Sequence, residues 1–187
     1  MKRLFNKALR ILLVTDATVL LAGAMLGPIY ALFVEEIGGD LLDASLAGAV
    51  FALAAGITTL IAGKYSDKIK ENELIIVLGY IILGVGFLLY TTVNSILSLL
   101  VVQVIIGLGN AIYAPAFDAI FSRHLIKRKT GRAWGAWEAT NYFATAVGAI
   151  VGGLIVVTFG FDVIFVIMAI LCFASSLYIW RLPREVL

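Results

Sequence analysis

The chain has 187 residues, 62% hydrophobic and 14% charged, with a formal net charge of +2. Soluble domains lie nearer one half and one quarter, so the composition excludes an ordinary water-soluble globule. The positive balance carries no nucleic-acid meaning, because all fourteen Lys and Arg residues fall on one side of the membrane that the apolar stretches imply.

Six stretches reach the ~20 mainly apolar residues that a membrane helix needs. In lipid they must be helices, since an open strand leaves backbone groups unpaired. The N-terminal segment holds Lys2, Arg3, Lys7 and Arg10. The first span, at about 9–34, carries Asp16, Gly23, Gly27, Pro28 and Tyr30. It is too long for a signal-peptide core and lacks a convincing cleavage site. The loop after it bears Glu35, Glu36, Asp40 and Asp43 and no cation. The second span, about 43–63, is rich in Ala and Gly, which suits close helix packing. Lys64, Lys68 and Lys70 follow it.

The third span, about 73–92, is apolar almost all round, its two tyrosines included, and is expected to face lipid. The fourth, about 96–122, holds Gln103, Gly107, Gly109, Asn110, Tyr113, Pro115 and Asp118. Arg123, Lys127, Arg128, Lys129 and Arg132 fill the next loop, where a basic run is also suited to anionic membrane lipids. The fifth span, about 132–158, carries Trp134, Trp137, Glu138 and Asn141. The sixth, about 161–180, is apolar and contains the single Cys172, read as packing. Arg181 and Arg184 close the chain. Short loops rich in Lys and Arg stay in the cytoplasm, which predicts an all-α, multi-pass protein of the cell inner membrane with both ends cytoplasmic. The whole chain is expected to form a single transmembrane domain.

The chain divides near residue 94 into two three-helix units, 1–94 and 95–187, expected to be inverted repeats. Pro28 and Pro115 then occupy corresponding spans, each after a glycine-containing stretch. Such interrupted spans mark transporter binding sites, although proline kinks alone explain them equally well. Asp16, Gly23, Gly27 and Tyr30 share one helical face, as do Gln103, Gly107, Asn110 and Ala114, and Trp134, Glu138, Asn141, Thr145, Gly148 and Gly152. Polar groups inside a span face a cavity or a partner. Spans 1, 2, 4 and 5 are therefore expected inside, and spans 3 and 6 at the periphery.

Asp16 and Glu138 each lie about 9 Å inside the cytoplasmic boundary, and no cation is predicted in the hydrocarbon core. Protonation, a water-filled cavity or a bound cation would each satisfy them. Such a site suits protons and neutral or cationic substrates; a wet vestibule that moves nothing is the bland alternative. Trp137 is either an aromatic face for a substrate or packing, and Asp118, near the interface, has an ion pair or helix-end contact as its simpler role. His124 is the only histidine and has no ligand pattern around it. With no P-loop either, no enzyme activity, cofactor or metal is expected.

Gly63-Lys64-Tyr65-Ser66-Asp67-Lys68 resembles the signature loop between the second and third helices of the major facilitator superfamily. Gln103, Gly107 and Gly109 resemble the family's fourth-helix motif, with Gln103 where proton-coupled members usually have Arg. Gly148 to Gly153 resembles the fifth-helix motif of the drug–proton antiporters, with Ala149 in place of proline. The resemblance covers the entire chain and implies one six-helix half of a facilitator fold, the other half being a second, parallel copy. It implies a secondary transporter of a small molecule working by alternating access; without the usual Arg, either Asp16 and Glu138 supply a different proton-coupling site or coupling is absent. Gln103, Asn110, Tyr113, Trp137 and Asn141 are the further substrate-site candidates. Asp67, with Gly63, is expected to latch onto the partner copy near Gly131 and Arg132, and Lys68 to pair with Asp118. A half that needs a different six-helix partner, and a non-transporting interaction module, are the alternatives.

Overall fold

The computed structural model describes residues 5–66, 69, 71–183 and 186–187. They form six long helices and, among the described residues, no strand. We label them α1 (Lys7–Glu36), α2 (Leu41–Ser66), α3 (Asn72–Leu89), α4 (Ile96–Arg123), α5 (Thr130–Phe159) and α6 (Phe161–Trp180). Each is long and apolar enough to cross a membrane. The bounds fall within a few residues of those read from hydropathy.

Local chemistry sets the ends. The Asn6 side chain accepts from Leu9 N at 2.8 Å and caps α1. Ser95 and Ser98 form a reciprocal capping box that starts α4. Between α5 and α6 a single residue, Gly160, turns the chain with φ 82°, a backbone region closed to most side chains. Replacing it with valine is expected to lower the thermal unfolding midpoint in detergent, since β-branched residues do not fit there.

The two prolines differ. Pro28 lies in a 3-10 turn, Gly27–Ile29, that interrupts α1. Pro115 sits inside an unbroken α4. Their sequence surroundings look alike, but the interruption occurs only at the first.

The helices follow one another around the bundle in the order α2, α4, α3, α6, α1, α5. Exchanging the first three helices with the last three returns the same order reversed. Two close crossings define the ends of this arc. Gly107 of α4 lies against α2, where an added Cβ would come 2.7 Å from the Phe51 carbonyl oxygen. Gly148 of α5 lies against α1, where it would come 2.8 Å from the Leu21 carbonyl oxygen. Small residues allow such backbone approach between membrane helices.

Burial runs against the sequence expectation. The most apolar 18 residues of α3 and α6 are 50% and 44% buried, while those of α2 and α5 are 6% and 17% buried. Thus α3 and α6 pack at the middle of the arc, each keeping one exposed apolar side such as Leu78 and Ile81 or Val166 and Ile170. The open ends are α2 and α5, with Leu53, Ile57 and Leu60 exposed on one and Phe143, Ile150 and Leu154 on the other. Hydropathy does not separate these cases, because a lipid-facing and a protein-facing surface are equally apolar.

Candidate functional site

A cavity of about 530 Å³ lies within the arc, and all six helices contribute to its wall. Most of the lining is apolar. Tyr30 from α1, Gln103, Asn110 and Tyr113 from α4, and Asn141 and Thr145 from α5 supply polar groups. Gly23 and Gly27 of α1 also line it, so α1 offers bare backbone at two points beside side chains such as Val19, Leu20 and Tyr30. Four of the sequence-predicted site residues, Gln103, Asn110, Tyr113 and Asn141, therefore share one cavity.

Gln103 is the crosslink at one end. Its Nε2 donates to Tyr30 Oη at 2.5 Å and to Tyr90 Oη at 3.1 Å, tying α4 to α1 and to the turn after α3. Below this link Phe33, Tyr90, Phe161 and Phe165 pack ring against ring. Gln103→Leu removes this bond from the buried Tyr90 hydroxyl, at about 1–3 kcal/mol for a buried group left unmade, and from the half-buried Tyr30 hydroxyl on the cavity wall. It is expected to lower the thermal unfolding midpoint in detergent more than Leu97→Ala on the exposed side of α4.

Asp16 lies toward the end that carries the chain termini and does not line the cavity. It is 2% exposed. Trp137 Nε1 donates to Asp16 Oδ2 at 2.8 Å, joining α5 to α1 across 121 positions of sequence. The Trp137 indole is held among Trp134 and Phe117, and Trp134 packs on Phe121. Here the indole serves as a packed hydrogen-bond donor and forms no part of the cavity wall. Tyr113 connects the two regions, since it lines the cavity and lies within electrostatic reach of Asp16. Tyr80 and Asp118 also act on Asp16.

The remaining candidates do not line the cavity. Glu138, one residue beyond Trp137, is exposed on α5. Asp118 and Arg132 are exposed on α4 and α5, and Gly63 is half-buried near the end of α2. Asp67 and Lys68 lie outside the described residues.

The sequence reading missed Tyr80 and Tyr90. Both sit in the span taken as lipid-facing, yet Tyr80, Leu83, Phe87 and Tyr90 recur at i, i+3, i+7 and i+10, which is one helical stripe, and all four are buried. That spacing was the available signal. Asn72 and Glu73, polar residues buried at the start of α3, gave no comparable pattern.

Comparison with known proteins agrees with this architecture. Residues 12–186 match the family model of the Major Facilitator Superfamily. The chain is 25% identical over 155 residues to an uncharacterised MFS-type transporter of Methanocaldococcus jannaschii, covering 83% of this chain and 40% of that protein. It is 24% identical over 180 residues to Multidrug resistance protein MdtG of Yersinia enterocolitica, covering 93% of this chain and 43% of that protein. With the MdtG of Proteus mirabilis it shares 26% over 191 residues, covering 96% of this chain and 46% of that one. The chain thus spans less than half the length of these curated relatives. On the family match and its six apolar helices, the chain is an integral multi-pass membrane protein and belongs to the Major Facilitator Superfamily.

Proposed function

We propose that the chain is one half of a secondary transporter, working as a parallel pair of identical copies. The pair moves a small neutral or cationic molecule by alternating access, with Asp16 and Glu138 as proton sites. The observation that carries this reading is the cavity itself. Amides and hydroxyls line it at the centre of otherwise apolar helices, where unpaired polar groups are costly. The names of the MdtG relatives favour drug-like molecules as its cargo.

Pairing follows from the bare helices. Both ends of the arc, α2 and α5, are the least buried. A twofold axis along the membrane normal brings α2 of one copy to α5 of the other and closes the cavity on the axis. Exposed Glu138 then lies at the seam. The basic loops put both chain ends in the cytoplasm of a cell inner membrane. In this assembly Asp67 meets the start of α5 in the partner copy, where a helix dipole favours a carboxylate, and Lys68 pairs with Asp118.

Proteoliposomes holding the purified chain test the proposal. An imposed pH gradient is expected to drive accumulation of a fluorescent lipophilic cation, and Asn110→Leu with Asn141→Leu to reduce it. Equal accumulation with protein-free liposomes would count against transport. A second reading, pairing with a different six-helix chain, is favoured by the chain's share of its relatives, 40% to 46% in the three compared.

A further inference from the structure

A separate cavity of about 660 Å³ lies at the end of the bundle where α1 starts and α6 stops. It shares no residue with the central cavity, and its volume falls within the roughly 300–1,000 Å³ of small-molecule sites. Lys7 and Arg10 of α1, Tyr178 of α6 and Ile126 of the loop between α4 and α5 stand in its wall.

Every polar side chain in this wall can donate a hydrogen bond. Lys7 and Arg10 are donors only. The Asn6 side-chain oxygen accepts from Leu9 N, which leaves its NH2 group to donate. Tyr178 adds a hydroxyl. Among the described residues no carboxylate lines the cavity, and none pairs with either cation. Like charges one turn apart on a helix repel, and an anion between them relieves the repulsion.

The surroundings are those of a membrane interface. Lys7 and Trp180 are the end residues of two apolar spans. Tyr178 and Trp180 are exposed there, as in the aromatic belts of membrane proteins. Toward the middle of the spans the exposed surface is apolar. Val14 shares a helical face with Lys7 and Arg10 and is 65% exposed. On the neighbouring α6, Ile170 and Ala174 share a face with Tyr178 and are exposed as well. The cavity thus offers donors to a charged group, and the helices beside it offer a path for hydrocarbon. A soluble anion would use only the first.

We propose that this cavity binds the headgroup of an anionic phospholipid, with its phosphodiester between Lys7 and Arg10 and its acyl chains along α1 and α6. Basic pockets between helices on the cytoplasmic side suit such headgroups, and the proposed orientation puts this end in the cytoplasm. The lipid would tie the first helix to the last and to the α4–α5 loop. The inference rests on the membrane-spanning fold and requires neither transport nor pairing.

The experiment titrates the full chain in mild detergent with phosphatidylglycerol or phosphatidylcholine and counts bound lipid by native mass. The parent chain is expected to retain one phosphatidylglycerol per copy at concentrations where phosphatidylcholine stays unbound. Lys7→Gln with Arg10→Gln is expected to weaken that binding by about tenfold or more, since each cation near a membrane surface is worth about fivefold. Lys127→Gln with Arg128→Gln removes the same charge from exposed loop residues that do not line the cavity, and is expected to weaken it far less. If the first variant does not fold, Ile126→Trp fills the cavity without changing charge and is expected to weaken binding too. Equal binding of the two lipids, equal loss in the two charge variants, or binding unchanged by Ile126→Trp overturns the inference. Displacement of the lipid by excess glycerol 3-phosphate, at equal ionic strength, would also overturn it and assign the cavity to a soluble anion.

Discussion

Gly152→Leu is expected to separate α1 from α5 and abolish a well-defined unfolding transition in detergent. The Cβ of any residue at this position falls on the Met25 carbonyl oxygen of α1. Backbone cannot rotate aside as a side chain can, so the helices themselves must part. Overpacking typically costs about 1–3 kcal/mol when side chains absorb it, and more is expected here. Gly153, the next residue, is the matched control, since an added Cβ there meets nothing within 4 Å. Thermal unfolding of Gly153→Leu is expected to stay near that of the parent chain. Equal loss in both variants would show that glycine matters at this point of α5 for some reason other than contact with α1.

Asp16→Asn carries the second large effect. Asparagine keeps an oxygen for the Trp137 N–H, so the α1–α5 bond and the fold are expected to survive. It cannot release a proton, so coupling is lost. Accumulation driven by a pH gradient should fall by about tenfold to a hundredfold, the usual range of a coupling free energy. Substrate binding, measured at equilibrium, should change far less, because Asp16 does not line the cavity. Adding Glu138→Gln tests the other proposed proton site. A double variant with undiminished pH-driven transport would remove both carboxylates from the mechanism.

The fold was largely legible because hydropathy and loop charge are local properties. Six apolar runs and their caps lie in consecutive residues, and the helix bounds follow from them. Polar residues in apolar helices were legible for the same reason. Gln103, Asn110, Tyr113 and Asn141 stood out on composition and share the cavity.

What stayed hidden depends on distant neighbours. The burial of α3 and α6 is set by what packs beside them, and a helix that is apolar on every side gives no sign of which side that is. Tyr80 and Tyr90 were counted with the apolar residues, although each carries a hydroxyl that matters once buried. Trp137 had two readings from sequence, and its partner Asp16 lies 121 positions away. Pro28 and Pro115 have similar surroundings in sequence, yet only the first interrupts its helix. Glu138 shares a sequence stripe with Asn141, but the structure leaves it exposed. The α2 and α5 faces, bare in a single copy, give that exposure a meaning only if a second copy covers them.

The native mass of the purified chain in lipid nanodiscs, with lipid subtracted, tests the paired assembly most directly. One copy weighs 20.1 kDa. The account predicts a stable species of two copies, lost when the exposed α2 and α5 residues Leu53 and Phe143 are both replaced by lysine. A chain that remains a single copy in every lipid composition would contradict it and turn the search toward a different six-helix partner.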